Sequence, residues 1–223
     1  MKALDCRIRT IQETLGTCPG DKDIYESFIA SKAPEAADIT EEISAYGVDV
    51  VAEKGKTIFL KDEEGHPFIW AYMIRGFLKQ AAAACKAASG SKTAKANLKA
   101  HKKKVDLQIF LPNSQRKLFW TNPDGSLVSM DEIGDCQRPL RADTAQGPRV
   151  SLANSETIPA GSILSFRLYV LDDALVDLVI EWLKYGCLNG LGQWRNSGKG
   201  SFILEECTVS DRDFGDFLEG DFC

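Results

Sequence analysis

Long apolar runs are missing from this chain. The longest, around Phe68–Leu78, is interrupted by Arg75 and closed by Lys79, well short of the roughly 18 residues that a membrane span needs. No CxxC pair occurs among the seven cysteines, Cys6, Cys18, Cys85, Cys136, Cys187, Cys207 and Cys223. An odd count at wide spacing argues against a disulfide framework and fits a reducing compartment. It also lacks the ligand spacing of a structural zinc site, and no metal or cofactor is expected. Histidine is scarce: His66 and His101 are the only two, which leaves little for imidazole acid–base chemistry. The opening residues MKALDCRIRT carry Asp5, Arg7 and Arg9 where a secretory signal has its apolar stretch, so a cytoplasmic location is expected.

What is present describes a globular protein. The 223 residues are 44% hydrophobic and 26% charged, enough to bury a core in one domain without staples. The net charge of −5 argues against a simple polybasic nucleic-acid binder.

Residues 6–17 are rich in Ile and Thr and partly alternate, as a first strand does. Cys18-Pro19-Gly20-Asp21 signals a turn. Residues 18–66 form an irregular, acidic insertion. Pro67 suits the first position of a helix running from Phe68 to about Ala88, with Arg75, Lys79 and Lys86 on one stripe. A basic stretch, Lys92 to Lys104, leads into an alternating strand at Val105–Leu111. Residues 112–154 contain turns and the arginines Arg116, Arg138, Arg141 and Arg149, which reads as an inserted, extended hairpin. Thr157–Val170 alternates as a strand. Asp172 or Asp173 can cap a helix whose apolar positions are Leu175, Leu178, Val179, Trp182 and Leu183. A final strand follows at Ser201–Val209, then an acidic tail over 211–223 with Phe214, Phe217 and Phe222. The order, strand–helix–strand–strand–helix–strand, predicts an α+β ferredoxin-like, RRM-like βαββαβ core over residues 1–210.

The most distinctive segment is Gly190-Leu191-Gly192-Gln193-Trp194-Arg195-Asn196-Ser197-Gly198-Lys199-Gly200. Its glycines free the backbone for positive φ and for close approach to a ligand. Arg195 and Lys199 add positive charge, and cations beside exposed N–H groups suit phosphate. No GK[ST] ends the loop, and it follows a helix and precedes a strand, so it is neither a Walker loop nor a Rossmann turn. A tight helix-to-strand connection is the equal alternative on composition alone.

This loop resembles the glycine-rich loop of the RAMP superfamily, the RRM-like proteins of CRISPR effector complexes. Three further stretches share the resemblance. Thr57–Leu78 is similar to the family's segment in which a short acidic turn leads to P-x-I-P-x-S-S-L-K-G-x-L-R, with Ile74-Arg75-Gly76 in the place of Leu-Lys-Gly. Arg141–Gln146 loosely resembles its D-R-x-T-G hairpin motif, and Glu156–Phe166 its E-x-V-P-A-G-T-x-F-x-F strand. Tyr72-Met73 and Asp143-Thr144 depart from the pattern. The backbone-type subunits, and RAMP-like proteins of phages and prophages, are the members most alike.

The resemblance implies a non-catalytic protein that binds single-stranded RNA or DNA and assembles along it as a homo-oligomer, filament or ring, in a bacterial cell. Candidate contacts are Arg75, Lys79, Lys102, Lys103, Lys104, Arg138, Arg141, Arg149, Gly190, Gly192, Trp194, Arg195, Gly198, Lys199 and Gly200. Trp120 and Trp194 are the aromatic residues that could stack on bases. Two alternatives stand beside it. One is a metal-independent endoribonuclease, for which His66, in a Gly-His-Pro turn, is a weak catalytic candidate. The other is a phage-encoded structural protein that engages a protein partner through the acidic tail. The charge of −5 permits the first reading because it is segregated: acid gathers in 35–64 and 205–221, base in 92–104, the hairpin and the loop.

Overall fold

Leu4, Cys6, Ile8 and Thr10 point alternately to one side of the first strand, β1 (Lys2–Thr10), and all four are buried. This two-residue period is what a sheet with one face on a core requires. The strand starts four residues earlier than the sequence suggests and ends at Thr10, after which Thr14–Leu15 (β2) joins a different sheet. A computed structural model describes residues 1–20, 56–144, 147–215 and 217, and of 139–144 and 147–152 the backbone alone. Most of the irregular insertion, residues 145–146 and the end of the acidic tail lie outside the described residues.

The remaining strands are β3 (Cys18–Pro19), β4 (Lys56–Ile58), β5 (Leu60–Lys61), β6 (Pro67–Trp70), β7 (Ile109–Phe110) and β8 (Lys117–Thr121). They continue with β9 (Gly134–Thr144), β10 (Gly147–Ile158), β11 (Ile163–Val170) and β12 (Phe202–Asp211). The helices are α1 (Ala71–Ala87), α2 (Lys92–Lys95), α3 (His101–Gln108) and α4 (Val176–Lys184). The larger sheet runs β12–β1–β11–β8–β6–β5, with β7 also on β11, and its pairings are antiparallel. A second sheet runs β2–β10–β4–β3, with β9 on β10. The fold is α+β with mainly antiparallel sheets. Among the described residues no helix is long and apolar enough to cross a membrane.

One core holds the larger sheet to its helices. Ile74, Phe77, Leu78, Ala81, Ala82 and Cys85 of α1 and Leu178, Val179, Trp182 and Leu183 of α4 pack on Leu4, Ile8, Phe166 and Leu168. The alanines present no bulk beyond Cβ, which lets α1 lie close. Helix α2 is tied to α4 by Glu181, whose carboxylate accepts from the N–H groups of Lys92 (2.6 Å) and Thr93 (2.9 Å) and from Thr93 Oγ1 (2.6 Å). These donations to the charged form, which outweigh the cost of burial, hold the Glu181 carboxyl below its ordinary range. On the sheet's other face, Ala3 and Tyr169 are covered by Phe217, whose ring centroid is 4.7 Å from that of Tyr169. The described part of the tail therefore folds back onto the sheet through one phenylalanine.

Three segments differ from the sequence reading. Pro67–Trp70 is a strand, not the first turn of α1, because all four residues are buried between β5 and β8. An apolar run of this length satisfies either element, and the sheet edge decides. Residues 101–108 form a helix, not a strand: Val105 and Ile109 share a face at a spacing of four, while Leu107, on the same face of any strand, is exposed. The segment 157–170 is two strands, since Pro159 lacks an N–H and Gly161 has φ +92°. This corner passes the chain from β10 to β11 and is fastened to Thr10, whose carbonyl accepts from Gly161 N (2.8 Å). Arg141 and Arg149 do lie on the two strands of the expected hairpin, in register with Val150 and Ala142.

Candidate nucleic-acid interface

The glycine-rich loop leaves α4 through a short 3-10 turn at Tyr185–Cys187 and returns to β12 at Phe202. Two of its glycines are forced by packing. A Cβ on Gly190 would lie 1.7 Å from the Gly200 carbonyl oxygen, and one on Gly200 would lie 1.8 Å from that of Leu191. The two strands of the loop thus cross backbone to backbone, joined by Leu191 N donating to Gly200 O (2.9 Å). Gly192 has φ +80° and sits against the Leu15 carbonyl. Gly198 has φ +86° with open space around it and ends the 3-10 turn Arg195–Ser197. Gly190 and Gly200 are buried inside the connection, and Gly192 and Gly198 set turns.

Loop tension converges on Trp194. This residue has φ +53° and ψ +37°, a left-handed conformation that is uncommon for a bulky side chain and stores strain. Its side chain is 38% exposed, whereas Trp70, Trp120 and Trp182 are at most 5% exposed. Trp120 is therefore core and cannot stack on a base. Beneath Trp194 lies Arg138 of β9, 6% exposed, with its guanidinium carbon 5.5 Å from the indole centroid. Arg138 donates to Ser155 Oγ (2.9 Å) and to Gln193 Oε1 (2.8 Å), and Ser155 Oγ in turn shares a 2.7 Å bond with Thr57 Oγ1. Among the described residues no carboxylate pairs with Arg138. A buried guanidinium held by neutral acceptors keeps its full positive field.

The other loop cations are anchored outside the loop. Arg195 donates to Gln80 of α1, and Lys199 pairs with Glu13, between β1 and β2. Gly200 N also donates to Glu13 O (2.8 Å). Next to Ser155, Glu156 is buried against Lys61 (2.8 Å) and accepts from Phe59 N (3.0 Å). This ion pair fixes β5 to β10 and so the floor beneath Arg138. Tyr185, Leu188, Asn189 and the 192–198 turn enclose an open concavity beside Trp194.

No protein-family model matches this chain, and no curated protein does. Among solved structures it is similar to a chain in the cryo-EM structure of the Type III-B Cmr-beta bound to cognate target RNA, at 11% identity and a TM-score of 0.42. The match covers 93% of this chain and 60% of that one, so this chain spans less than two thirds of its neighbour's length. A likeness at this level assigns no role to any residue.

The remaining predicted contacts are dispersed over other elements. Arg75 donates to the Asp106 carbonyl (2.9 Å) and Oδ1 (3.3 Å), and Lys79 lies 2.6 Å from the same carboxylate. One acidic residue of α3 thus answers two of the three cations of α1, Arg75 and Lys79. Lys104 is 3.7 Å from Asp172, while Lys102 and Lys103 are exposed on α3. The side chains of Arg141 and Arg149 lie outside the described residues. His66 closes its turn: Asp62 Oδ1 accepts from His66 N (2.7 Å) and Asp62 Oδ2 is 3.2 Å from Nδ1. With Glu64 these groups form a possible donor set for a cation, all within 4.8 Å of one another. The burial of Arg138 and its partners Gln193 and Ser155 was not visible in the sequence, because no local pattern links positions so far apart.

Proposed function

We propose that this chain is a non-catalytic single-stranded nucleic-acid-binding protein of the RAMP type, built on a ferredoxin-like βαββαβ core spanning residues 1–210. The order β12–β1–β11–β8 supports that core, since it sets the four strands as fourth, first, third and second with α1 and α4 as the two crossovers. One observation carries the functional reading. Trp194, strained and half-exposed, stands on a buried arginine that no described carboxylate neutralises. An aromatic face over a fixed cation suits a base with its phosphate: the ring stacks and the charge draws the backbone. Arg195 and Lys199 flank it on elements that hold them in place. Assembly along the strand as a homo-oligomer follows from the resemblance of the loop and its three companion stretches to the RAMP superfamily, and action in the cytoplasm from the cysteine spacing and the charged opening residues.

The test is fluorescence anisotropy with labelled single-stranded RNA and DNA of mixed sequence over a salt series. Each neutralised phosphate contributes about −0.7 to the slope of log K against log salt, so three loop-side cations predict a slope of about −2. Binding that ignores salt, or no binding to either strand, refutes the proposal. Cleavage of the strand replaces it with the nuclease reading, and loss of that cleavage in His66→Ala then identifies His66 as its base.

A further inference from the structure

The strand that follows the glycine-rich loop, β12, and its neighbour β1 carry a pair of thiols in direct opposition. Cys6 of β1 and Cys207 of β12 are partners in an antiparallel register that runs from Lys2↔Asp211 to Arg7↔Glu206. Their sulfurs are 3.8 Å apart. Directly opposed residues of an antiparallel ladder have Cα atoms about 4.5–5.5 Å apart, inside the range that a disulfide spans. The ladder shifts register between Arg7 and Ile8, immediately beyond the pair, and such an irregularity gives a strand local freedom to twist. The thiols differ in environment. Cys6 is buried in the main core, while Cys207, on the end strand of the sheet, is half-buried against that core.

We propose that Cys207 and Cys6 form a reversible oxidation site for hydroperoxides, with Cys207 as the attacking thiol and Cys6 as the resolving one. The hydrogen bond shared between the two sulfurs, with the Lys184 charge nearby, favours the Cys207 thiolate against its own partial burial and the Asp5 charge, and the thiolate is the nucleophile. The same pairing and deeper burial push the Cys6 thiol up, so it stays protonated until it resolves. In the first step the Cys207 thiolate attacks one peroxide oxygen, the O–O bond breaks, and hydroxide leaves and takes up a proton. Cys207 is then a sulfenic acid. In the second, the Cys6 sulfur attacks the Cys207 sulfur, the S–O bond breaks, and the hydroxyl leaves with the Cys6 proton as water. Two thiols lose two electrons in total and one hydroperoxide is reduced. The product fastens the edge strand β12 to β1 at Cys207, in the strand that follows the loop.

Hydrogen peroxide added to the reduced, full-length chain, followed by N-ethylmaleimide and peptide mapping, tests this. A Cys6–Cys207 cross-linked peptide is expected, removed by dithiothreitol. The cross-link closes a loop of about 200 residues and raises the thermal midpoint by about 5–10 °C. In Cys6→Ser, Cys207 is trapped by dimedone as the sulfenic acid. Cys207→Ser, a change at a half-buried position, leaves Cys6 fully alkylated on unfolding. Exposed Cys187 is the internal control. Oxidation of Cys187 while Cys6 and Cys207 both remain alkylatable overturns the proposal, as does Cys6 oxidation that persists in Cys207→Ser.

Discussion

Replacing glycines of the loop one at a time separates backbone crossing from ligand approach. Alanine at Gly190 places a Cβ 1.7 Å from Gly200 O, 2.2 Å from Gly200 C and 2.5 Å from Ser201 N, all backbone atoms that cannot rotate aside. Ordinary contact needs about twice the shortest of these separations, so the two loop strands must part. The bonds at stake are Leu191 N to Gly200 O (2.9 Å) and Gly200 N to Glu13 O (2.8 Å). Losing a buried backbone bond with its partner left unsatisfied costs about 1–3 kcal/mol, so Gly190→Ala is expected to cost about 3–5 kcal/mol in all. Gly200→Ala meets the Leu191 carbonyl at 1.8 Å and adds a positive φ of +71°, so it costs at least as much. Gly198→Ala has open space and carries only the left-handed penalty, about 1–2 kcal/mol. Urea unfolding followed by circular dichroism ranks the three variants. A Gly190→Ala protein within about 0.5 kcal/mol of wild type, on the scale of ordinary surface changes, refutes the crossing.

Three further outcomes follow from the same contacts. Lys61→Met or Glu156→Gln alone breaks a buried pair and is expected to cost about 3–5 kcal/mol, while the double variant recovers much of this, read as a double-mutant cycle by denaturant unfolding. Both ring nitrogens of His101 are buried without hydrogen-bond partners among the described residues, and burial, then Lys86 and Lys102, lower its affinity for a proton. The unfolded chain therefore binds the proton more readily, so stability is full above the ordinary histidine range and falls as pH drops through it. Urea midpoints at about pH 7.5 and about pH 5 should diverge more in wild type than in His101→Gln, and equal divergence contradicts this. Phe217→Ala uncovers Tyr169 and should lower stability by about 1–3 kcal/mol, whereas no change in the thermal midpoint means that the segment does not pack.

The elements whose periodicity matched their burial were legible in the sequence. The β11 strand ends at the expected Val170 although it begins only at Ile163, the α4 helix carries the expected apolar positions Leu178, Val179, Trp182 and Leu183, and Asp172 caps the turn before α4, its Oδ1 accepting from Ala174 N (3.0 Å). Where one pattern serves two elements, tertiary context decided. Val105 and Ile109 fit a period of two or of four, and Pro67–Trp70 became a strand through partners at Leu60 and Phe119. The loop was identifiable from its glycines, but their work was not: Gly190 and Gly200 serve each other, which only the crossing reveals. Arg138 read as one hairpin arginine among four. Its separation from the rest comes from β9 pairing with β10 and from Gln193 reaching across from the loop. Arg75 and Lys79 of α1 looked available because Asp106 was too far along the chain to be matched with them.

The central claim is that Trp194 over Arg138 receives a base, and intrinsic tryptophan emission tests it most directly. Trp194 is the one indole of the four with a substantially exposed face. Titration with single-stranded nucleic acid is expected to quench part of the emission, and Trp194→Phe is expected to abolish that quench while binding persists through the smaller ring. Trp194→Ala is expected to weaken binding about 5- to 150-fold, the worth of one stacked base. Quenching that survives in Trp194→Phe, or unchanged affinity in Trp194→Ala, contradicts the account.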